Sequence, residues 1–322
     1  MQECFTIGIS SRALFDLEAE NAIFENQGVE AYVDYQIAHE KDVLASGAAF
    51  ALIQSFLALN QHSRERQIEV VIMSKNSADA ALRIFHSIEY YELDITRAAL
   101  TSGAAIAPYL QAYGVDLYLS FNAQDVREAL RAGIAAGVLL PAATEKKPVF
   151  QKGELDNNLE IRIAFDGDAV LFSGEAERTF REQGVEAFCE QEKELAEIPL
   201  KPGPFAHVLR LISTLQKNTA IECATWRVGL PEERRRMPVI RTALVTARSA
   251  PAHERVIRTL RAWGIRIDEA FFMGGMDKSS ILEAFGAHIF FDDNEENVES
   301  ASAVVLSARV PWVEETMNQQ VG

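Results

Sequence analysis

Two aspartates follow an apolar segment at a spacing that could hold a cation. Asp166 and Asp168 come directly after IRIAF at 161–165. Open α/β sheets bind ligands at the carboxyl ends of their strands, so both carboxylates would lie at a binding edge. Crowded like charges need a proton or a cation to relieve them, and Mg²⁺ takes oxygen ligands that it shares with substrate phosphate. Taken alone, such a pair is more often a helix cap or a turn.

Three later strand ends carry further polar groups. Thr246 ends the strand TALVT, and the following Ala247 and Arg248 lead into a helix, whose free N–H groups suit a phosphate as well as they suit a plain threonine cap. Lys278 opens a helix against the dipole preference, so it either points to solvent or serves an anion. In chain order, the strand ends carry Asp166 with Asp168, Thr246, Lys278, and the adjacent Asp292 and Asp293.

Apolar segments alternate with helical segments along the whole chain. Examples are the strands at 68–74 and 240–246, each followed by an amphipathic stretch. This alternation predicts an α/β fold with a mainly parallel sheet, in which these strand ends meet at one edge.

The chain contains an internal duplication. The segment from Ile7 aligns without a gap on the segment from Ile163, sharing QGVEA at 27–31 and 183–187, and 70–126 aligns on 242–298. The offset grows from 156 to 172, so the second copy has 16 more residues, expected between 188 and 241, where the first copy should have only a short connection. We therefore predict duplicated units at 1–145 and 155–322, with a boundary near 141–158.

The first copy lacks the chemistry of the second. At the matched positions it has Ser10, Arg12, Ser74, Ile106, Ser120 and Phe121. No metal site can be built from these groups, which predicts a catalytically inactive half. That half is either purely structural, or its pocket binds a regulatory anion such as a nucleotide through Ser10, Ser11, Arg12, Ser74 and Lys75.

The ordered motifs resemble those of a known superfamily. DGDAVLFS, LVTARS, the lysine of GGMDK and HIFFDD match the four motifs of the haloacid dehalogenase-like superfamily of phosphotransferases. SSRALF, QGVEAY and LVTARSA extend the similarity to the cytosolic 5'-nucleotidase I type family and its bacterial relatives, over nearly the whole chain. The resemblance implies a Rossmann-like fold, a Mg²⁺ cofactor and hydrolysis of a nucleoside 5'-monophosphate such as AMP or dAMP.

The resemblance also implies roles for single residues. Asp166 would attack phosphorus and form an aspartyl-phosphate, and Asp168 would protonate the leaving oxygen and then activate water. Thr246, Ala247 and Lys278 would hold the phosphate, with Arg248 as a further candidate that could instead pair with an acidic neighbour. Mg²⁺ would bind Asp166, the main-chain carbonyl of Asp168, and Asp292 or Asp293.

The insertion at about 175–238 is where this superfamily carries a cap, which excludes water and supplies specificity. Aromatic groups there could stack on a base, although such residues more often belong to the core. The run PEERRRMP at 231–238 could attract an anion, although a charge run is usually a solvated face. The candidates for stacking are Phe188, Phe205, His207 and Trp226, with Phe172 just before the insertion.

The amino-acid composition of the chain limits the binding partners, metal sites and cellular locations that we expect. The net charge of −16 argues against a general nucleic-acid binder, and the three scattered cysteines suggest neither a disulfide framework nor a zinc site. No apolar run is long enough for a membrane helix, and no signal peptide is evident, which predicts a cytoplasmic protein. Homo-oligomerisation is expected from the family.

The competing functions are a phosphatase for another small phosphomonoester, such as a sugar phosphate, and a non-catalytic nucleotide-binding scaffold.

Overall fold

The described part of the chain forms one mixed sheet covered by helices. A computed structural model describes residues 4–63, 65–141, 160–226 and 240–312. The ten strands are β1 (Phe5–Ile9), β2 (Ile68–Ser74), β3 (Arg97–Leu100), β4 (Leu117–Ser120), β5 (Ala135–Leu140), β6 (Ile161–Phe165), β7 (Ile240–Thr246), β8 (Glu269–Phe272), β9 (Ile289–Asp292) and β10 (Ser307–Arg309). The predicted segment boundary near 141–158 lies almost wholly outside these residues.

The strands follow the order β3-β2-β1-β4-β5-β10-β9-β6-β7-β8. Neighbouring strands are parallel except β5 and β10, which pair antiparallel with Leu140 opposite Ser307. The predicted α/β class with a mainly parallel sheet is thus confirmed. We call the pairing of β5 with β10 the joint between the two halves. Because the strand direction reverses at the joint, the carboxyl ends of β1–β5 lie at one edge of the sheet and those of β6–β10 lie at the opposite edge.

Each side of the joint uses the same sequence of elements. Counted outward from the joint, the strand order 5-4-1-2-3 in the first half corresponds to 10-9-6-7-8 in the second. The helices are α1 (Ser11–Leu14), α2 (Glu18–Ala38), α3 (Phe50–Ala58), α4 (Leu82–Tyr90), α5 (Ala107–Ala112), α6 (Ala123–Arg131), α7 (Glu175–Glu194), α8 (Ala206–Trp226), α9 (His253–Ala262), α10 (Ser279–Phe285) and α11 (Glu295–Ala301).

Helices α2 and α7 bend at corresponding glycines. Gly28 has φ 89° and ψ −177°, and Gly184 has φ 85° and ψ 178°. Side chains avoid this backbone region, which is essentially reserved for glycine. The positive φ at this bend therefore explains why both copies of the QGVEA segment contain glycine.

The predicted insertion at 175–238 contains α7 and α8, while 227–239 lie outside the described residues. The first half has α2 and α3 at the same place between its first two strands. The expected short connection in the first half is therefore wrong, because a buried helix, α3, occupies it. Helix α8, with 21 residues against 9 in α3, accounts for part of the extra length.

One hydrophobic cluster joins the two halves. It includes Phe5 and Phe50 from the first half together with Phe165, Phe205 and Phe291 from the second. Central strands such as β6 are buried on both faces, which is why their sequences are almost continuously apolar. Among the described residues, no helix has the length and apolar character needed to cross a membrane.

Candidate active site

Two neighbouring strands, β6 and β9, bring the acidic groups of the second half together. Asp166 follows β6, and its N–H donates to the carbonyl of Phe291 in β9 at 2.8 Å. Asp292 ends β9, and Asp293 follows it. One carboxylate oxygen from each of these three aspartates lies within 4.8 Å of the others. The structure therefore assembles three of the four predicted aspartates into one cluster, while Asp168 pairs with Arg248.

Lys278 lies inside this cluster. Its Nζ donates to Asp166 Oδ1 at 2.6 Å and to Asp292 Oδ2 at 2.6 Å. All three side chains are buried, with Lys278 only 3% exposed. A lysine at the start of α10 is explained by these two ion pairs, so it does not point to solvent.

The cluster contains more negative than positive charge. Burial raises the pKa of Asp166 well above its ordinary value; Lys278 opposes this shift, and Asp292 and Asp168 add to it. Burial lowers the pKa of Lys278, but the carboxylates of Asp166 and Asp292 outweigh burial and raise it above its ordinary value. A divalent cation would supply the positive charge that this group of carboxylates lacks.

Asp292 and Asp293 differ in their surroundings. Asp292 is fully buried, and besides Lys278 it accepts hydrogen bonds from the Asn294 N–H at 2.8 Å and from Asn297 Nδ2 at 3.1 Å. Asp293 is only half-buried. The helix α11, capped by the Asn294 side chain, thus holds Asp292 in a fixed orientation.

Thr246 lies beside the turn that carries the aspartates. It ends β7, next to β6, and its Oγ1 accepts from the Arg248 N–H at 3.2 Å. A Cβ placed on Gly167 would lie 3.2 Å from this oxygen, tighter than an ordinary contact. Glycine between Asp166 and Asp168 therefore permits a close approach to Thr246. Ala247 is exposed at the same edge.

Arg248 is engaged by carboxylates. Its Nε and Nη2 donate to the two oxygens of Asp168, each at 2.7 Å, and its Nη1 donates to Glu192. The guanidinium also lies over the Phe188 ring, 5.3 Å from its centre. The predicted alternative, pairing with an acidic neighbour, is what the structure shows for Arg248.

Glu192 and Arg255 belong to this network and were not anticipated. Glu192 is 1% exposed on α7 and accepts from Arg248 and from Arg255 Nη1, the latter at 2.7 Å. The surrounding sequence QEKELAE reads as a solvated helix face. The available signal was Arg255 itself, which aligns with Arg83 of the first half, another buried arginine paired with a glutamate.

The aromatic candidates of the insertion belong largely to the core. Phe205 and Phe172 are fully buried, and Phe188 packs with Ala252 beneath Arg248. His207 is exposed and pairs with Asp116 of the first half at 3.2 Å. The side chain of Trp226 and the run at 231–238 lie outside the described part of the structure.

When the chain is compared with known proteins, one family matches nearly its full length. The family described as 5'-nucleotidase matches residues 1–317. Human cytosolic 5'-nucleotidase 1B is 36% identical over 307 residues, which are 93% of this chain and 47% of the human protein. The chain thus spans about half the length of this curated relative. No solved structure matches the chain.

Proposed function

The chain belongs to the 5'-nucleotidase family, and on that premise we propose that it hydrolyses nucleoside 5'-monophosphates to nucleoside and phosphate. The observation that carries this proposal is the buried cluster in which Lys278 bridges Asp166 and Asp292 at the carboxyl ends of β6 and β9. A lysine and a cation site beside a buried carboxylate provide what an anionic phosphate needs in order to approach an anionic nucleophile.

Asp166 is the proposed nucleophile. Its carboxylate oxygen bonds to phosphorus while the bond to the 5'-oxygen breaks, and Asp168 gives its proton to that leaving oxygen. Asp168 then takes a proton from water, which attacks phosphorus and releases phosphate from Asp166. Because both Asp168 oxygens accept from Arg248, that proton is held on a carboxyl lone pair that does not face the guanidinium.

The residues present fit a divalent cation. The oxygens of Asp166, Asp292 and Asp293 are close together, and hard oxygen ligands of this kind suit Mg²⁺. When bound, Mg²⁺ would neutralise phosphate charge. We propose Asp166 and the carbonyl of Asp168 as ligands, and Asp292 before Asp293 because Asp292 is held by Asn294 and Asn297.

Thr246, the N–H of Ala247 and Lys278 are the proposed phosphate ligands. Thr246 Oγ1 and Lys278 Nζ flank the Asp166 turn, and oriented donors of this kind stabilise charge in phosphoryl transfer. Arg248, the further candidate, already directs its Nε, Nη1 and Nη2 groups at Asp168 and Glu192, so most of its N–H donors are engaged by protein carboxylates.

The remaining finer assignments are proposals of the same kind. The matching order of elements on the two sides of the β5–β10 joint supports a duplicated haloacid dehalogenase-like unit with an inactive first half. The insertion at 175–238 is the proposed cap, supported by the contact of Glu192 on α7 with Arg248. Cytoplasmic location, homo-oligomerisation and the absence of nucleic-acid partners stay predictions.

The test is phosphate release from a panel of nucleoside monophosphates and sugar phosphates, first with Mg²⁺ and then with EDTA. We expect AMP and dAMP to be among the best substrates and EDTA to abolish turnover. Preference for sugar phosphates would favour the alternative phosphatase, and no release from any phosphomonoester would favour a non-catalytic scaffold. Turnover that survives EDTA would refute the metal-dependent mechanism.

A further inference from the structure

A cavity lies in the first half of the molecule. It has a volume of about 750 Å³ and opens between α2 and the carboxyl ends of β1, β2 and β4. Pockets of this size accommodate small organic ligands. It occupies the place that corresponds to the candidate active site of the second half, but at the opposite edge of the sheet.

The floor of this cavity is made of hydroxyl groups. Ser10, Ser11, Ser74 and Ser120 line it at the strand ends. Ser11 and Ser74 share a hydrogen bond at 3.2 Å. The buried Oγ of Ser10 has no partner among the described residues, and buried polar atoms of this kind are normally satisfied. The floor therefore offers donors and acceptors to a polar ligand.

Two cations border the hydroxyl floor. Arg12 donates to Asn21 at 2.8 Å and to Glu18 at 2.9 Å, which leaves its buried Nε without a partner in the described part of the chain. Lys75 pairs with Asp125 at 2.6 Å, and an ammonium group keeps further N–H donors beyond one ion pair. Asp125 is the one carboxylate among the cavity's lining residues. The polar end of the cavity thus suits an anion and has no carboxylate cluster for a metal.

The opposite wall is apolar and aromatic. Helix α2 contributes Phe24, Val33 and Tyr32, and the Phe24 and Tyr32 rings meet edge to face at 6.1 Å. Phe24 is 49% exposed, which is unusual for a large aromatic side chain. Aromatic side chains of this kind stack on the flat faces of bases.

We propose that this cavity binds a nucleoside 5'-phosphate without a metal ion. The phosphate lies against Arg12, Lys75 and the serine hydroxyls, and the base lies against the aromatic wall of α2. No group equivalent to Asp166 is present at Ser10, so the bound molecule is not hydrolysed. Since this cavity and the candidate active site lie at opposite edges of the sheet, this ligand and the substrate do not touch.

The experiment counts AMP molecules bound per chain by equilibrium dialysis in EDTA. All measurements use the full chain with Asp166→Asn, so that neither turnover nor its failure affects the count. Arg12→Glu is added to place a negative charge in the cavity. The matched control is Arg66→Glu, since Arg66 is similarly exposed, pairs with Asp94 at 2.7 Å, and lies at the other edge of the first half.

We expect Arg12→Glu to bind one AMP fewer per chain, or to bind it at least about tenfold more weakly, than Arg66→Glu. Adenosine and inorganic phosphate should each compete at least about tenfold less well than AMP at this site. Equal binding by the two variants would overturn the proposal, provided that both unfold at the same temperature. Phosphate competing as well as AMP would also overturn it, because the aromatic wall would then contribute nothing.

Discussion

At the scale of single residues, the site depends on the arrangement of carboxylates around one lysine. The order of the strand-end motifs, read from the sequence, points to Asp166, Lys278 and the pair of Asp292 and Asp293, without deciding between the last two. The sequence could not predict that Lys278 bridges both carboxylates, because the direction of its side chain depends on how α10 packs against the sheet. The same limit applies to Arg248: the sequence allowed for an acidic partner but did not identify Asp168 and Glu192.

Asp166→Asn should remove turnover while leaving the fold in place. The amide keeps the shape of the side chain but lacks the anionic oxygen that attacks phosphorus. We expect kcat to fall by several decades, on the order of 5 kcal/mol or more in the barrier. Initial rates of phosphate release with AMP and Mg²⁺ measure this. The matched control is Asp268→Asn, a hydrogen-bonded aspartate that precedes β8 at the opposite edge and should keep near-normal turnover.

Lys278→Met should lower stability most when no metal is bound. Removing the ammonium leaves Asp166 and Asp292 buried and mutually repelling, which we expect to cost about 3 kcal/mol in EDTA. Mg²⁺ neutralises the same carboxylates, so it should stabilise the variant more than the parent. Urea unfolding in EDTA and in Mg²⁺ gives both quantities. Lys201→Met, which removes an exposed pair with Glu175, should cost no more than about 1 kcal/mol in either buffer.

At the scale of elements, α7 is tied to the site through one buried glutamate. Glu192 accepts from both Arg248 and Arg255. The buried arginine of the first half has a different carboxylate partner. Arg83 pairs with Glu20 at the start of α2, and Gln36 occupies the position that corresponds to Glu192. The helix could be read from its sequence, but its buried charge could not, because burial of Glu192 follows from the docking of α7 on α9.

This difference suggests a swap between the halves. Glu192→Gln should lower the free energy of unfolding by about 3 kcal/mol, because the buried guanidinium of Arg255 loses its carboxylate partner and that of Arg248 loses one of two. It should also lower kcat about tenfold, because Arg248 loses the Glu192 contact that orients it toward Asp168. Adding Ala176→Glu, the residue found at the matched position 20, should restore the pairing of Arg255 and most of the stability, but not kcat.

Urea unfolding and initial rates separate these effects. Glu20→Gln in the first half serves as the control, and it should reduce stability without changing kcat. Recovery of kcat in the double variant would show that Arg248 does not act through Glu192.

At the scale of the whole molecule, the β5–β10 joint and the shared hydrophobic cluster connect the two halves through one sheet and one core. The sequence predicted the repeated units but not how they join. The joining strand β10 has only three residues, too few for a periodic pattern. The antiparallel pairing of β10 with β5 joins residues that are far apart in the sequence, so local sequence propensity cannot predict it.

The two halves should therefore unfold together. All seven tyrosines lie at or before position 118 and all three tryptophans at or after 226, so each half has its own optical signal. We expect tyrosine absorbance and tryptophan fluorescence to give coincident urea transitions. Gly137→Val, which would place a side chain against Ala308 across the joint, should move both transitions equally. Two separated transitions would show that the joint does not couple the halves.

The same joint has a consequence during synthesis of the chain on the ribosome. β5 pairs with β10, and Leu140 and Ser307 are about 170 residues apart, so this contact forms late and over a long loop. Until β10 emerges, the nascent first half presents β5 as an open edge with unpaired backbone groups, a surface on which other strands can add. During the period of translation between these two strands, we therefore expect β5 to be open to pairing with strands of other chains.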